Sequence, residues 1–359
     1  GFAGDTSKGP LNKDLKWETT DQYNVGLDFG FLKNRIALPV NYYYKKTRDL
    51  LQYVSIPSST GFSNMWTNFG HVTNEGIELT GQFYAIDTKD WGLDFDANIA
   101  FNRNRIGGLT ADQYANNLWY SAKEVFIQRN GLPIGAILGY VEDGFYDNLA
   151  EVRADPLYAN VSDVEAQRMV GEIKYLDVNG DGKLTTEDRA IIGDTNPDFT
   201  YGLTGNFRWK NLTLSLFFQG TYGNDIFNAN LTNISMQSVS NIPKFAYESR
   251  WTPDNTENAK WPRATMAQTR EWRITERHVE EGTYLKLKTI NLAYNFGSPC
   301  KGIENLTVFG TVNNVFTITG YSWYDPDVNT FGQDASRRGV DIYSYPASRT
   351  FSLGVKVTL

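Results

Sequence analysis

Hydrophobic and polar residues alternate along most of this chain of 359 residues. Between residues 22 and 31 every second side chain is apolar, at Tyr23, Val25, Leu27, Phe29 and Phe31. Successive side chains of a β-strand point to opposite faces of a sheet, so a period of two predicts a strand with one apolar and one polar face. From residue 91 to 101 the same pattern places two carboxylates, Asp94 and Asp96, on the polar face.

Eleven segments carry this pattern and are predicted to be strands. They are residues 22–31, 35–47, 74–85, 91–101, 120–129, 134–146, 199–208, 211–222, 283–296, 305–316 and 349–359. Most are about 10 to 14 residues long, which exceeds the usual strand of a soluble protein and suffices to cross a bilayer at a tilt. We therefore expect an all-β fold that extends over the whole chain, residues 1–359.

The connections between these segments alternate in length. Short ones surround residues 32–34, 87–90 and 209–210, and long ones run over residues 48–73, 147–198, 223–282 and 317–348. Short turns on one side and long loops on the other are typical of antiparallel β-barrels of the bacterial outer membrane, in which the long loops are extracellular. The pattern therefore predicts a transmembrane β-barrel.

Aromatic residues fall at both ends of the predicted strands. Trp91 and Trp209 lie next to short turns, and the long-loop ends carry Tyr42, Tyr44, Trp119 and Tyr222. Aromatic side chains form girdles at the two membrane interfaces of outer-membrane barrels, so this placement predicts two girdles. For any single residue, an ordinary strand aromatic without a membrane is the alternative.

The number of predicted strands is odd, whereas bacterial single-chain barrels have even numbers because antiparallel closure requires it. We therefore expect that part of the barrel lies outside this chain. Pro39 lacks an N–H inside a predicted strand, and a local bulge is expected there.

Composition and charge narrow the class of protein. No run approaches the roughly 18 consecutive apolar residues of a transmembrane helix, and aromatic residues make up 14% of the chain, too many for a disordered protein. The net charge of -7 leaves no broad basic surface, so no nucleic-acid partner is expected. Cys300 is the single cysteine, which excludes an intramolecular disulfide. The first residues lack the features of a signal peptide, and we expect a missing N-terminal part rather than a cytoplasmic chain.

One segment has the spacing of a calcium-binding loop. Its candidate ligands are Asp177, Asn179, Asp181, the carbonyl group of Lys183, and Asp188. Gly182 supplies the sharp turn. Position twelve is Asp rather than Glu and no second loop is evident, so the segment predicts a structural Ca²⁺ rather than a sensor; an acidic turn that binds nothing is the alternative.

Few residues have the type and spacing expected of a catalytic site. His71 and His278 are far apart in sequence and have no metal-ligand spacing, so solvated or packed histidines are the better interpretation. Adjacent carboxylates such as Glu280 and Glu281 are more often solvated charges than acid-base pairs. No enzymatic activity is predicted.

Aromatic residues also cluster in the long connections. They are Trp66, Trp251, Trp261, Trp272, Tyr321, Trp323 and Tyr324. Exposed aromatic rings are common platforms for organic ligands, including the faces of sugars, so these residues are candidate substrate-binding positions. Mutual packing of the loops is the alternative for each of them.

Several segments together resemble the C-terminal portion of TonB-dependent transporters of the SusC/RagA family. They are residues 12–20 (NKDLKWETT), 23–28 (YNVGLD), 42–51 (YYYKKTRDLL), 74–79 (NEGIEL), the calcium-like loop, 193–202 (GDTNPDFTYG), 313–316 (NNVF) and 324–327 (YDPD). The last strand, residues 350–359, resembles the C-terminal insertion signal of such barrels, although it ends in Leu359 rather than Phe.

The resemblance implies that about 11 strands of a 22-stranded outer-membrane barrel are present, and that the plug domain and the N-terminal strands are absent. It also implies import of nutrients, first oligosaccharides and next oligopeptides, with a SusD-like lipoprotein as lid. TonB would act through the missing N-terminal part.

The alternative from another functional class is a calcium-stabilised, β-rich surface module that binds carbohydrate without transport. The apolar strand face distinguishes the two, because lipid would cover it in a barrel and a second sheet would cover it in a module.

Overall fold

The computed structural model describes residues 10, 12–62, 64–115, 124–234, 236–237, 241–266, 270, 273–332 and 334–359. Within these residues the strands, numbered along the chain, are β1 (Thr19–Phe31), β2 (Ile36–Arg48), β3 (Leu51–Ser55), β4 (Asn64–Asn68), β5 (His71–Asp87), β6 (Trp91–Gly107), β7 (Gln113–Ala115), β8 (Phe126–Gln128), β9 (Ala136–Gly139), β10 (Glu142–Phe145), β11 (Ile173–Tyr175), β12 (Ala190–Asp194), β13 (Phe199–Trp209), β14 (Leu212–Tyr222), β15 (Asp225–Asn228), β16 (Val279–Glu281), β17 (Tyr284–Gly297), β18 (Asn305–Thr319), β19 (Val340–Asp341) and β20 (Thr350–Thr358).

Helical segments are short in the described part of the chain. The α-helices are α1 (Leu149–Ala154), α2 (Asp163–Met169) and α3 (Lys244–Glu248), and 3-10 turns cover Ser58–Thr60, Thr186–Asp188, Ala229–Asn233, Glu276–His278 and Ala335–Arg337. No helix among the described residues has both the length and the apolar character needed to span a membrane.

Nine of the described strands form one antiparallel sheet in the order β1-β2-β5-β6-β13-β14-β17-β18-β20. The connections at residues 32–35, 88–90, 210–211 and 298–304 are short, and those at residues 49–70, 108–198, 223–283 and 320–349 are long. Because the strands are antiparallel, all the short turns lie at one end of the sheet and all the long connections at the other. The predicted alternation of turns and loops is confirmed.

The two faces of this sheet differ in polarity, as the alternation predicts. Leu203 is in register with Phe218 on β14 and with Ala97 on β6, and these side chains share the apolar face. The apolar face is open to the outside among the described residues; Leu353 on the last strand, for example, is 83% exposed. Within the described ranges the sheets are this one and four smaller ones, each of two to four strands.

Polar side chains hydrogen-bond to one another across strands on the opposite face. Asn206 Nδ2 donates to Asp94 Oδ2 at 2.8 Å, and Ser215 Oγ donates to Asn206 Oδ1 at 2.7 Å. Further along the sheet, Asn291 Nδ2 donates to Thr311 Oγ1 at 2.7 Å. These contacts give the sheet a hydrophilic wall several strands wide.

Two predicted barrel strands belong to a different part of the structure. Residues 120–129 contribute only β8 among the described residues, and 134–146 contribute β9 and β10; β8 and β9 lie in a four-stranded sheet with β7 and β12. The physical reason is burial, because Val125, Phe126 and Ile127 are all inaccessible in succession. A strand of a barrel wall would expose every second one of them, so the assignment of these two segments to the barrel was wrong.

The predicted aromatic positions cluster at the two ends of the main sheet. Trp91 and Trp209 are register partners near the short turns and their rings stack with centroids 5.8 Å apart. At the long-loop end, Tyr222 stacks on Phe199 at 5.1 Å. Trp119 lies outside the described residues.

Pro39 sits in β2 without the expected bulge. The register between β1 and β2 is continuous through the pair Asp28 and Pro39. The ladder between β2 and β5 skips Leu38 and Pro39 but resumes in the same register. The missing N–H of proline therefore costs a ladder bond to β5 and no change of register.

The long connections pack together into what we call the loop domain, which comprises the described residues of 108–198, 223–283 and 320–349. Its three-stranded sheet joins β15 and β16 of one connection to β19 of another. Phe126, Phe227 and Val340 meet in one hydrophobic core, although each comes from a different connection. The loop domain therefore has its own apolar interior beside the barrel sheet.

Candidate functional site

The predicted calcium ligands lie in one compact turn of the loop domain. Asp177 Oδ1 accepts the N–H of Gly180 at 2.7 Å, and its Oδ2 accepts the N–H of Gly182 at 2.7 Å. Asn179 Oδ1 accepts the N–H of Asp181 at 3.0 Å. Gly180 and Gly182 have φ angles of 74° and 75°, which favour glycine and allow the chain to fold back on these oxygens.

Asp188 braces the turn from its far end. It is buried, and its Oδ1 accepts the N–H of Val178 at 3.1 Å while its Oδ2 accepts the N–H of Thr185 at 2.6 Å. Burial acts to raise the pKa of Asp188, but these backbone N–H groups, with that of Asn179, lower it overall. A charged carboxylate therefore closes the loop.

The donor set fits a hard cation only in part. Among the described residues, no three His, Cys, Asp or Glu side chains come together as a metal cluster. A cation at this loop would therefore rely on Asp177 and Asp181 together with the neutral oxygens of Asn179 and Lys183. Calcium accepts such a mixture of carboxylate, amide and carbonyl oxygens.

The predicted aromatic residues divide into buried and exposed groups. Trp251, Trp261 and Tyr321 are buried: Trp251 Nε1 donates to Asp147 at 2.8 Å and the Tyr321 hydroxyl donates to Asp341 at 2.7 Å. Trp261 packs in a hydrophobic cluster of the loop domain. These three rings support the loop domain and expose little surface to a ligand.

The remaining aromatic residues lie closer to the surface. Trp66 on β4 is 46% exposed and Tyr324 is 69% exposed. Trp323 is partly buried against the cluster that contains Trp261, and its ring meets that of Tyr324 edge to face at 5.8 Å. Trp272 lies outside the described residues. The substrate-binding role of the whole set stays a prediction.

A buried ion pair fastens the loop after β18 to the barrel sheet. Lys286 Nζ lies 2.6 Å from Asp325 Oδ1 and 3.3 Å from Asp327 Oδ2. A register shift in β17 between Leu287 and Thr289 places Lys286 on the polar side of the sheet, like Thr289. The sequence singles out Asp325 and Asp327 but not their partner.

His278 is a packed histidine, as expected. It is buried, its Nδ1 accepts the N–H of Thr275 at 3.1 Å, and its ring lies 6.4 Å from that of Phe227. Burial lowers the pKa of His278 to about 4, so the ring is neutral near pH 7. His71 lies at the start of β5 in the nine-stranded sheet.

The loop domain also contains an arginine-rich cleft of about 440 Å³ that was not predicted from the sequence. Its charged lining includes Arg168, Arg270 and Arg273. A signal for it existed, because residues 263–277 contain four arginines in a chain whose net charge is negative. The signal carried no motif spacing, and α2, which supplies Arg168, is distant in sequence.

Comparisons with known proteins agree with this architecture. The family model described as TonB dependent receptor-like, beta-barrel matches residues 1–356. TonB-dependent receptor P26 of Formosa agariphila is 31% identical over 360 residues, which cover 97% of this chain and 35% of that protein. TonB-dependent receptor SusC of Bacteroides thetaiotaomicron is 29% identical over 355 residues, which cover 97% of this chain and 32% of SusC. The chain thus spans about a third of the length of these relatives.

Solved structures show the same fold. The RagAB peptide transporter superposes with a TM-score of 0.76 at 22% identity, covering 96% of this chain and 36% of that one. The RagAB peptide importer in its open-open state gives a TM-score of 0.75 at 22% identity, covering 98% and 36%. The nine-stranded sheet is thus part of an outer-membrane β-barrel, as predicted.

Proposed function

Because the chain belongs to the TonB dependent receptor-like β-barrel family, we propose that it forms wall and outer loops of a nutrient importer in the bacterial outer membrane. The observation that carries this proposal is the polarity of the main sheet. One face is apolar and open to lipid, and the other is a hydrophilic wall that includes Asp94, Asn206 and Ser215. A large barrel with such an interior can pass a hydrated solute.

For the cargo we propose oligosaccharides first and oligopeptides second. Trp66 and Tyr324 are exposed and can stack on sugar rings. The structures named RagAB are described as a peptide transporter, and at 22% identity that likeness supports the fold rather than the cargo. For partners we propose a SusD-like lipoprotein over the loop domain, and TonB acting through a part of the importer outside this chain.

We also propose that the loop from Asp177 to Asp188 holds a structural Ca²⁺. Support comes from the convergence of Asp177, Asn179 and Asp181 on one turn and from the glycines that allow it. The cation would hold the turn without taking part in transport. Import needs no covalent chemistry, and the absence of enzymatic activity remains a prediction.

The rival proposal, a surface module that binds carbohydrate without transport, requires a partner sheet over the apolar face. No second sheet covers that face in the part of the chain that the structure describes. Family membership and this open face both favour the importer.

The test is uptake by cells. We expect a labelled oligosaccharide or oligopeptide to accumulate in wild-type cells, and not in cells that lack this protein or TonB. The protein should also require detergent for extraction and stay in solution only with it. Stable, monodisperse behaviour in plain buffer together with unchanged uptake in the deletion strain would instead support the surface module.

A further inference from the structure

The arginine-rich cleft lies between α2 and the segment of the loop domain that carries Arg270 and Arg273. Its volume of about 440 Å³ falls within the usual range of small-molecule sites, roughly 300 to 1,000 Å³. Tyr158 and Tyr175 contribute aromatic faces to its lining. It is thus large enough for one or two sugar rings or amino-acid residues.

A fixed ion-pair network sets the charge at the back of the cleft. Glu172 is buried, and its Oε1 accepts from Arg263 Nε at 2.8 Å while its Oε2 accepts from Arg270 Nε at 2.5 Å. One carboxylate therefore meets two guanidinium groups. Because buried charges persist only when paired, this network stabilises the back of the cleft.

Two further arginines line the cleft. The Arg273 guanidinium lies over two neighbouring tyrosine rings, 5.1 Å from the centre of the Tyr175 ring and 5.5 Å from that of Tyr140. Arg168 is exposed at the rim, and no carboxylate of the described residues pairs with its guanidinium. Glu165 is the other acidic residue that lines the cleft in the described part of the chain.

The balance of these charges favours an anionic ligand. Arg168, Arg270 and Arg273 face the cleft with Glu165 and Glu172, and Arg263 adds a positive charge behind Glu172. Among the described residues of the lining, three arginines stand beside two carboxylates in a chain whose net charge is -7, so this composition is local and not a general property of the surface. An anion entering the cleft gains from this field.

We propose that this cleft binds a carboxylate group of the imported nutrient, with Arg168 as its direct partner. A guanidinium presents two parallel N–H groups that match the two oxygens of a carboxylate. Glu165 disfavours a doubly charged phosphate and can accept from a hydroxyl or amide N–H of a singly charged ligand. The identification of the ligand as cargo rests on the proposed importer, whereas the binding itself does not.

Two kinds of nutrient carry this chemistry: an oligosaccharide of uronic acids, and a peptide with a free C-terminus. The probes are trigalacturonate and an N-acetylated tripeptide, each compared with a neutral counterpart, maltotriose and the same peptide amidated. Calorimetry on the protein extracted in detergent from native membranes measures each dissociation constant. Binding of trigalacturonate alone identifies the sugar, binding of the acidic peptide alone identifies the peptide, and binding of both identifies the shared carboxylate.

Arg168→Gln is the test variant, because Arg168 is exposed and we expect its replacement to leave the fold intact. We expect the dissociation constant of the acidic probe to rise about tenfold or more, the effect of losing a charge-assisted hydrogen bond. Arg338→Gln, a change at an exposed arginine in another loop, is the matched control and should leave it unchanged. The site is overturned if Arg168→Gln and Arg338→Gln bind the acidic probe with equal affinity. It is also overturned if the neutral counterparts bind as tightly as the acidic probes, or if neither acidic probe binds.

Uptake separates this inference from the function on which it rests. If the acidic probe binds through Arg168 but enters cells that lack TonB as fast as wild-type cells, the importer proposal is wrong and the proposed ligand site is retained. If uptake depends on TonB but Arg168→Gln changes neither binding nor uptake, the proposed ligand site is wrong and the importer proposal is retained.

Discussion

The ammonium nitrogen of Lys286 lies 2.6 Å from a carboxylate oxygen of Asp325, and this ion pair ties strand β17 to the long connection after β18. Lys286 is 3% exposed, and the Asp325 side chain is 12% exposed. A charge buried this deeply is tolerated because it is paired, so removal of either partner leaves the other uncompensated. The pair therefore holds part of the loop domain against the barrel wall.

Asp325→Asn should release that connection. Loss of one partner of a buried pair costs about 3–5 kcal/mol, although Asp327 at 3.3 Å retains part of the compensation. We expect faster cleavage within residues 320–349 by limited proteolysis, at unchanged barrel content by circular dichroism. Asp327→Asn, at the more exposed partner, is the control with a smaller effect. Equal proteolysis of the two variants would mean that Asp325 has no special role.

Neighbouring residues on β13 test which face of the sheet meets lipid. Leu203 lies on the apolar face and Thr204 on the polar face, opposite Asp96. A lysine on the lipid-facing side near the membrane centre costs about 2–4 kcal/mol, whereas a lysine in a wet interior is tolerated. Leu203→Lys should therefore lower the urea midpoint of the protein in lipid vesicles strongly, and Thr204→Lys should lower it little. If Thr204→Lys lowered the midpoint more than Leu203→Lys, the face that carries Thr204 would be the one in contact with lipid.

Removal of calcium should destabilise the loop domain. A ligand present at about 100 times its dissociation constant adds roughly 2.7 kcal/mol to the free energy of unfolding. We expect a chelator to lower the melting temperature of the wild-type protein and not that of Asp177→Ala, whose carboxylate binds Gly180 and Gly182. Asp254→Asn, at an exposed aspartate elsewhere in the loop domain, should respond like the wild type. If neither the chelator nor added Ca²⁺ changes the melting temperature of the wild-type protein, the calcium proposal is wrong.

His278 should make the protein less stable in mild acid. Its pKa is about 4 in the folded state against an ordinary value near 6.5, so between these values the unfolded chain binds a proton that the folded protein does not. The contribution of His278 to the free energy of unfolding is complete above pH 6.5. It is lost as the pH falls towards 4, and the total loss is about 3 kcal/mol.

The measurement for His278 is the urea midpoint at pH 7 and at pH 5. His278→Gln has no group that titrates in this range, so the difference between its two midpoints should be smaller than in the wild type. The midpoint at pH 7 alone is not diagnostic, since the substitution also changes packing. An unchanged difference between the two pH values would show that other groups govern acid stability.

The barrel strands could be predicted because their evidence is local. In β1, the alternation from Tyr23 to Phe31 fixes which side chains share a face, whatever the rest of the chain does. The same reasoning failed for residues 134–146, where Ile137 and Leu138 are both buried in the loop domain. A short apolar run has the same composition in a barrel wall and in a packed core, so periodicity could not separate them.

Residues of the candidate sites that lie close together in the sequence were easier to predict than residues brought together from distant parts of the chain. The loop from Asp177 to Asp188 is a compact turn held by contacts within twelve residues, whereas cation binding there stays a prediction. Trp251, Trp261 and Tyr321 were recognised as loop aromatics, but their burial depends on partners far along the chain, such as Asp147 and Asp341.

The sequence by itself determined the class of fold, the side of the sheet that carries the long connections, and the residues of the calcium-like loop, because each follows from the order of neighbouring residues. Tertiary structure alone decided that Phe126, Phe227 and Val340 share a core, and that Arg168 and Arg273 line the same cleft. These groups lie in different connections, and many chain paths satisfy the same local pattern. Only the packing of the connections selects the path that brings them together.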